Sequence, residues 1–371
     1  MSVSPLDRRM LLLAARAGWR AAGRVEPNPM VGCVIGSVGG VVLGVGHHRV
    51  FGGPHAEVEA IADCQRRGHS THGATAWVTL EPCNHFGKTG PCTEALLRAG
   101  VARVVFARRD PNPPASGGAE RLRGLGVEVV EAGGMAFVER LSEAFVKRVK
   151  TGLPWVIAKW AQTLDGKVAT RSGDSKWISN PSSRLMVHRL RARVDAVLTG
   201  VGTVRVDDPM LTARGVAVRR LARRCIIDPR LETPANAAML RTASDAPITF
   251  FTGATAARGE RAESLRAAGC EVVALPLVSD GLDLLAALRH LASAHAASNV
   301  LTECGPGLMG RLFRSGLVDE ALVFTAPKLL GDQAALAAAT IGEASSIAHA
   351  VPLTLRRVRV VGGDVLGVYG R

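Results

Sequence analysis

The chain has 371 residues, enough for two domains that each bury a core, and its 47% hydrophobic and 21% charged residues exclude a disordered protein. Its formal net charge of +14 favours anionic partners such as phosphorylated metabolites, cofactor phosphates or nucleic acid, with solvated surface charge as an equal alternative. Aromatic residues make up only 4%, which argues against a stacking surface for single-stranded nucleic acid.

The first part of the chain predicts alternating helices and strands. Ser4-Pro5 is typical of a helix start, and the apolar, β-branched stretch 31–45, broken by Gly39-Gly40, predicts a hairpin. The elements predicted after it are helix 56–67, strand 76–80, helix 93–99, strand 101–107, a loop over 110–118, strand 127–130 and helix 134–150. This alternation predicts a layered α/β domain.

A break at Thr151-Gly152-Leu153-Pro154 predicts a domain boundary, which divides the chain into domains 1–150 and 151–371. The elements predicted beyond it are strand 155–160, helix 182–192, strand 196–199, a loop up to 214, strands 224–227, 248–251 and 271–274, helix 282–295, strand 299–303, helix 308–316 and strand 320–325. They predict a second α/β domain.

Four residues of the first domain form a candidate zinc site. His55, Cys83 and Cys92 would supply three ligands and leave the fourth tetrahedral position open, as in catalytic zinc centres. Glu57 is suited to move protons there, although a glutamate is too acidic for this unless its surroundings tune it. Both cysteines must be thiolates, and we expect both at helix starts, which favour the anion. Each residue alone is more often structural, but together they indicate hydrolytic removal of an amine from a heterocycle.

The loop between the two cysteines is unusually long. Eight residues separate Cys83 from Cys92, whereas the usual deaminase signature is Pro-Cys-x-x-Cys. Such a loop is able to make contacts of its own, and His85, Lys88 and Thr89 are candidate hydrogen-bond or phosphate partners. A solvated loop cation is the alternative for Lys88.

Four motifs of the first domain resemble the deaminase half of a family of bifunctional riboflavin-biosynthesis enzymes. They are Pro27-Asn28-Pro29-Met30-Val31-Gly32, Gly44-x-Gly46-x-His48, His55-Ala56-Glu57 and Pro82-Cys83-x8-Cys92. The resemblance implies that Asn28 holds the pyrimidine and that His48 and Lys88 lie near the ribose phosphate, with ordinary turn residues as the alternative for Asn28 and His48. Where the family usually has Thr-Pro-Pro-Cys, this chain has Gly90 in place of the first proline.

The second domain resembles the family's reductase half, whose fold is like that of dihydrofolate reductase, over 158–167, 172–179, 190–196, 200–214 and 303–308. The resemblance implies substrate contacts from five residues: Ser175, Arg191, Leu211, Arg214 and Glu303. It implies NADPH contacts from Ala161, Trp177, Thr203, Asp207, Gly305, Pro306, Gly307, Leu308, Met309, Gly310 and Arg311. An exposed helix position is the alternative for Arg191, and plain core for Trp177. Lys159 and Asp207 are the candidates for assisting proton transfer, and Arg230 for choosing NADPH over NADH.

The glycine-containing turn at 305–310 agrees with that implication. It follows a predicted strand and opens a helix, where backbone N–H groups are able to bind a phosphate. It is not the Gly-x-Gly-x-x-Gly of the doubly wound dinucleotide fold, so that fold is disfavoured.

Cysteine usage and hydropathy predict a cytoplasmic protein. The seven cysteines are odd in number and scattered, as in a reducing compartment. The apolar stretch 11–15 is too short for a signal peptide, and no apolar run approaches the ~18 residues of a membrane span.

We therefore expect a cytidine-deaminase-like three-layer α/β/α domain followed by a dihydrofolate-reductase-like α/β domain. The expected cofactors are Zn²⁺ and NADPH, and the expected partners are phosphorylated pyrimidines and further copies of the chain, with neither nucleic acid nor membrane. Two alternatives remain: a nucleic-acid base deaminase, suggested by the +14 charge, and a non-catalytic scaffold stabilised by zinc.

Overall fold

The computed structural model describes residues 3–87, 90–342 and 345–371. The chain divides into two compact units, Met1–Leu153 and Pro154–Arg371. No helix among the described residues combines the length and the apolar character that crossing a bilayer requires.

The first unit is built on a five-stranded sheet with strand order β2-β1-β3-β4-β5. Strand β1 runs antiparallel to β2 and β3, whereas β3, β4 and β5 are parallel. The strands are β1 (Gly32–Gly36), β2 (Val42–His47), β3 (Thr75–Val78), β4 (Arg103–Phe106) and β5 (Glu128–Glu131). The helices are α1 (Pro5–Gly18), α2 (Ala56–Arg66), α3 (Cys92–Arg98), α4 (Gly118–Gly124), α5 (Ala136–Glu139) and α6 (Glu143–Thr151).

Buried side chains cover both faces of this sheet. Val34 and Trp77 pack with residues of α1 and α5, while the neighbouring Cys33 and Ala76 pack with residues of α2 and α3. Because successive side chains of a strand point to opposite faces, the sheet lies between two helical layers. The expected three-layer α/β/α arrangement of the first unit is confirmed.

Helix α1 begins with a capping box, as Ser4-Pro5 predicts. The Asp7 backbone N–H donates to Ser4 Oγ at 3.1 Å, and the Ser4 backbone N–H donates to Asp7 Oδ2 at 3.0 Å. The Asp7 carboxylate, only 1% exposed, also accepts from Trp77 Nε1 at 2.7 Å and from Arg103 Nη1 at 2.7 Å. One buried carboxylate thus joins α1 to β3 and β4.

The predicted helix 134–150 is not continuous. It divides into α5, a 3₁₀ turn over Arg140–Ser142, and α6. Ser142 Oγ donates to the Glu139 carbonyl at 3.2 Å, and hydroxyl bonds of this kind compete with the helical pattern.

The second unit contains a nine-stranded sheet with strand order β11-β10-β9-β8-β14-β6-β15-β18-β17. Its strands are β6 (Trp155–Gln162), β8 (Ala196–Gly200), β9 (Arg223–Ile227), β10 (Ile248–Gly253), β11 (Glu271–Leu275), β14 (Asn299–Thr302), β15 (Glu320–Thr325), β17 (Thr354–Val361) and β18 (Asp364–Gly370). Short strands outside this sheet are β7 (Lys167–Ala169), β12 (Leu277–Val278), β13 (Gly281–Leu282) and β16 (Leu336–Ala337). The helices are α7 (Pro181–Arg191), α8 (Val201–Asp207), α9 (Glu260–Ala267), α10 (Leu284–Ala294) and α11 (Pro306–Arg314).

The first seven strands in this order, β11-β10-β9-β8-β14-β6-β15, are parallel. The hairpin β17–β18 adds two antiparallel strands at one edge. Sequence analysis did not predict this hairpin, whose turn is formed by Gly362 and Gly363 with φ of 59° and 99°. It also treated Val201–Asp207 as loop, because glycine and β-branched residues are weak helix formers.

Candidate functional site

The three predicted zinc ligands converge in the first unit. His55 precedes α2 as its N-cap, Cys83 lies in the loop after β3, and Cys92 is the first residue of α3. The distances from His55 Nδ1 are 3.3 Å to Cys92 Sγ and 3.4 Å to Cys83 Sγ. The expectation that both cysteines lie at helix starts is wrong for Cys83, because the chain is not helical there.

Cys83 is held at the start of α3 by other contacts. Its sulfur accepts the Cys92 backbone N–H at 3.4 Å, and its carbonyl accepts the Thr93 N–H at 3.3 Å. The hydrogen bond between the two thiols lowers the pKa of Cys83 and raises that of Cys92.

The donor set fits a zinc ion. In a tetrahedral site with ordinary bond lengths, the nitrogen and each sulfur lie about 3.6 Å apart, close to the two distances that the structure gives. The three ligand atoms all lie within 4.8 Å of one another. A site with two sulfurs and one imidazole binds zinc in preference to magnesium or calcium, which favour oxygen ligands.

Glu57 lies in the first turn of α2 and is 3% exposed. Burial raises its pKa to about 7, and the negative charge of Cys83 contributes in the same direction. This is the tuning that a glutamate needs in order to take up and release protons near neutral pH.

His55, Cys83 and Glu57 line a cavity of about 250 Å³, together with Asn28, His48 and His85. Asn28 Nδ2 lies 3.3 Å from His48 Nε2, and His48 Nδ1 lies 2.9 Å from the Pro54 carbonyl. Burial lowers the pKa of His48, which favours the neutral ring with its proton on Nδ1. His48 Nε2 is then the acceptor for the Asn28 amide, and both residues line the cavity.

The long Cys83–Cys92 loop contributes His85 to the cavity. Its Nδ1 is buried and has no hydrogen-bond partner among the described residues. The candidates Lys88 and Thr89 lie outside the described residues.

Three polar residues that line the cavity were not predicted from the sequence: Glu81, and Asp110 and Asn112 in the loop after β4. Because β3 and β4 are parallel, the segments after both strands meet at one edge of the sheet. Buried Glu81 holds the Asp110 segment by accepting the Asp110 N–H at 3.1 Å. The signal that could have identified Asp110 and Asn112 is a polar segment directly after the strand next to β3.

In the second unit, Glu303 lies at the centre of a charged cluster. Arg191 donates to both of its carboxylate oxygens, with Nε–Oε1 at 2.6 Å and Nη2–Oε2 at 3.0 Å, and Lys159 Nζ lies 3.5 Å from Oε2. Burial opposes ionisation, but the charges of Arg191 and Lys159 lower the pKa of Glu303 to about 2. Only 13% of the Arg191 side chain is exposed, so the exposed-helix alternative is wrong.

The other predicted substrate residues differ in exposure. Arg214 is exposed and Ser175 is half-buried. Leu211 is 2% exposed and packs in the core, and its φ of 54° places it in the left-handed region. Its side chain is therefore not available to a ligand.

Part of the predicted cofactor set is brought together. The Gly305 N–H, which precedes α11, donates to Thr203 Oγ1 in α8 at 3.1 Å. Lys176 Nζ lies 3.9 Å from Asp207 Oδ1. Trp177 is 63% exposed under the Arg184 guanidinium, so the plain-core alternative is wrong.

Three residues of that set face away from the turn before α11. Met309 is buried in the core, and Gly310 packs so closely on Thr340 that a Cβ would lie 1.9 Å from its carbonyl oxygen. Arg311 donates to the Leu282 carbonyl and pairs with Asp280. Of the predicted cofactor residues at 305–311, only 305–308 are not engaged in this packing. Of the remaining candidates, Ala161 lies in β6, and Arg230 pairs with Glu232.

Comparisons with known proteins match both units. The family model of the cytidine and deoxycytidylate deaminase zinc-binding region matches residues 5–108, and that of the RibD C-terminal domain matches residues 154–366. The riboflavin biosynthesis protein RibD of Aquifex aeolicus is 38% identical over 372 residues, covering 100% of this chain and 99% of the relative. That of Escherichia coli is 37% identical over 369 residues, covering 97% and 98%.

Two solved structures are similar along their whole length. Acinetobacter baumannii RibD has a TM-score of 0.83 at 32% identity, covering 98% of each chain. The diaminohydroxyphosphoribosylaminopyrimidine deaminase/5-amino-6-(5-phosphoribosylamino)uracil reductase of Thermotoga maritima has the same TM-score, identity and coverage. The expected order of folds, deaminase-like and then reductase-like, is confirmed, and the chain belongs to the RibD family of riboflavin biosynthesis proteins.

Proposed function

We propose that the first unit hydrolyses the 2-amino group of 2,5-diamino-6-(5-phosphoribosylamino)pyrimidin-4-one. The second unit then reduces the ribosyl side chain of 5-amino-6-(5-phosphoribosylamino)uracil to ribityl with NADPH. The observation that carries the proposal is the convergence of His55, Cys83 and Cys92 at a cavity that buried Glu57 also lines. Family membership connects this site to riboflavin precursors.

In the deaminase unit, His55, Cys83 and Cys92 hold the zinc ion. When bound, zinc supplies a nucleophile near neutral pH by lowering the pKa of a water molecule. Glu57 would take one proton from the attacking water and give it to the ring nitrogen. It would then take the second proton from the new hydroxyl group and give it to the amine, which leaves as ammonia. Its place in the wall of the cavity keeps it within reach of a bound ring.

The polar groups of the cavity orient the substrate. The Asn28 amide binds the pyrimidine, and His48 lies on the side of the ribose phosphate. The contact between Asn28 and His48 supports this assignment because it fixes the orientation of both side chains.

In the reductase unit, the charged cluster binds the phosphorylated sugar. Arg191 is already paired with Glu303, so the exposed Arg214 is better placed to bind the phosphate, as a guanidinium does through two N–H groups. Ser175 and Glu303 bind the sugar chain, and Lys159, whose Nζ lies 3.5 Å from Glu303 Oε2, assists proton transfer.

Bound NADPH supplies the hydride, and the chain orients it. Ala161, Trp177, Thr203, Asp207 and residues 305–308 form the binding surface. The hydrogen bond between Gly305 and Thr203 supports this grouping, because it fixes the turn before α11 against α8. We propose NADPH instead of NADH, in an enzyme that acts as a homo-oligomer in the cytoplasm.

The substitution Glu57→Gln tests the proposal. Gln keeps the shape of the buried side chain but cannot shuttle protons, so ammonia release should fall by about 10²- to 10⁴-fold. NADPH oxidation with the deaminated substrate and the zinc content should not change. The matched control is Glu59→Gln on the same helix, whose carboxylate pairs with Arg49. Retention of more than a tenth of the deaminase activity, or parallel loss of both activities, would contradict the proposal.

A further inference from the structure

A second group of metal-ligating side chains lies in the reductase unit, apart from the charged cluster of Glu303. Glu271, the first residue of β11, accepts from two histidines. Its Oε1 lies 2.9 Å from His290 Nε2, and its Oε2 lies 2.9 Å from His295 Nε2. Neither the deaminase nor the reductase chemistry uses these residues.

The end of helix α10 brings the two histidines together. His290 lies within the helix, and His295 is its C-cap. Ala296 follows with a φ of 51°, which turns the chain out of the helix. The two rings then meet edge to face with centroids 5.4 Å apart, although residues five apart do not share a helix face.

The geometry is close to that of a metal centre. The three ligand atoms lie within 4.8 Å of one another, and ligands of a tetrahedral zinc ion are about 3.4 Å apart. Small side-chain movements therefore open the group around an ion. The three side chains are 31%, 25% and 23% exposed in chain order, so an ion can enter from solvent.

Neighbouring groups fix the carboxylate. Thr249 Oγ1 donates to Glu271 Oε2 at 2.7 Å, and Arg223 Nη1 lies 3.3 Å from the same oxygen. Groups of this kind around a ligand orient it for a metal. The guanidinium charge lowers the affinity for a cation, but it contacts Oε2 and leaves Oε1 facing His290.

We propose that Glu271, His290 and His295 form a second transition-metal site that takes Zn²⁺ or another divalent ion with a preference for imidazole. To bind the ion, each histidine changes from the tautomer that donates Nε2–H to Glu271 to the one that carries its proton on Nδ1, which leaves the Nε2 lone pair for the metal. Three protein ligands leave one position for water. The ion connects the C-terminal end of α10 to β11, the outermost strand of the sheet. The proposal depends on neither catalytic activity.

Metal stoichiometry of the full chain tests the site. Equilibrium dialysis against buffered Zn²⁺, followed by metal analysis, should give two ions per chain in the wild type. It should give one in the variant His290→Gln/His295→Gln. The matched control replaces His69 and His72, two exposed histidines of the first unit, and should keep two ions. One ion in the wild type, or two in the His290/His295 variant, would overturn the proposal.

Titration of the wild type with Co²⁺ gives a second readout that needs no variant. The site with two cysteines produces intense sulfur-to-metal absorption, whereas a site of two imidazoles and a carboxylate does not. We expect one equivalent with this absorption and a second equivalent without it. Saturation after the first equivalent contradicts the second site, while the first equivalent reports independently on the deaminase centre.

Discussion

The buried carboxylate of Asp7 stabilises the first unit. The substitution Asp7→Asn measures how much it contributes to the free energy of unfolding. Asn Oδ1 is able to keep the hydrogen bonds from Trp77 and Arg103 Nη1. Its amide nitrogen, however, would face the Ser4 N–H and Arg103 Nη2, both of which are donors. The substitution therefore removes the half of the capping box that the Asp7 side chain supplies, together with the charge and one of the two hydrogen bonds of the pair with Arg103.

The magnitude follows from these two losses. A lost N-cap interaction costs about 1 kcal/mol. The Arg103 pair contributes about 2 kcal/mol, between the values for surface and buried pairs, because Arg103 is 23% exposed and also contacts Glu128. The free energy of unfolding of the first unit should fall by about 3 kcal/mol at pH 7, which raises its unfolded population about a hundredfold.

The effect should depend on pH in a definite direction. Hydrogen bonds from Arg103, Trp77 and Ser4 outweigh burial and hold the pKa of Asp7 well below its usual range. The stabilisation is therefore complete above the unfolded-state pKa of about 3.9 and is lost as pH falls through the lower folded-state pKa. Asn does not titrate, so the difference between variant and wild type should be smaller at pH 3 than at pH 7.

Urea unfolding read by pulsed hydrogen exchange and mass spectrometry separates the two units, because peptides from 3–87 report only the first. The control Asp245→Asn alters an exposed residue of the second unit and should change the free energy of unfolding by less than about 0.5 kcal/mol. The reasoning would be refuted if Asp7→Asn lowered the free energy of unfolding by less than about 1 kcal/mol at pH 7, or by the same amount at pH 3 as at pH 7.

Two further predictions concern the reductase unit. Glu303→Gln leaves Arg191 and Lys159 without their carboxylate, so kcat/KM for NADPH-dependent reduction should fall by about 10- to 100-fold. Ammonia release should not change. Reductase kinetics equal to those of the wild type would contradict a role for the cluster. Gly310→Ala places a Cβ against the Thr340 carbonyl and should lower the free energy of unfolding by about 1–3 kcal/mol. In Gly307→Ala, in the same helix, the new Cβ meets nothing within 4 Å, so the free energy of unfolding should rise by about 0.5–1 kcal/mol. Urea titration of the cofactor-free chain measures both variants. Equal effects would show that the contact between Gly310 and Thr340 is unimportant.

Local signals predicted much of the fold. Ser4-Pro5 and Gly39-Gly40 indicated the start of α1 and the β1–β2 hairpin, because capping and turn formation depend on neighbouring residues. Helix α8 could not be predicted in this way, since its glycine and β-branched residues oppose a helix that tertiary packing of Val204 stabilises.

The site was predictable where residue type and spacing carry the chemistry, as for His55, Cys83 and Cys92. Contacts between distant residues were not. Arg191 and Glu303 are 112 positions apart, and no local pattern shows that they neutralise each other. His290 and His295 form no known ligand spacing, because only the end of α10 brings them together.

Hydrogen bonds hold the two ends of the Cys83–Cys92 loop together. The Cys92 and Thr93 N–H groups bind the sulfur and the carbonyl of Cys83, and the Asn84 N–H donates to the Ala115 carbonyl. These contacts use backbone groups, so they hold the two sulfurs together without help from the side chains further along the loop. Exchanging such a side chain, for example that of His85, can therefore change what the cavity admits without rebuilding the centre that breaks the carbon–nitrogen bond.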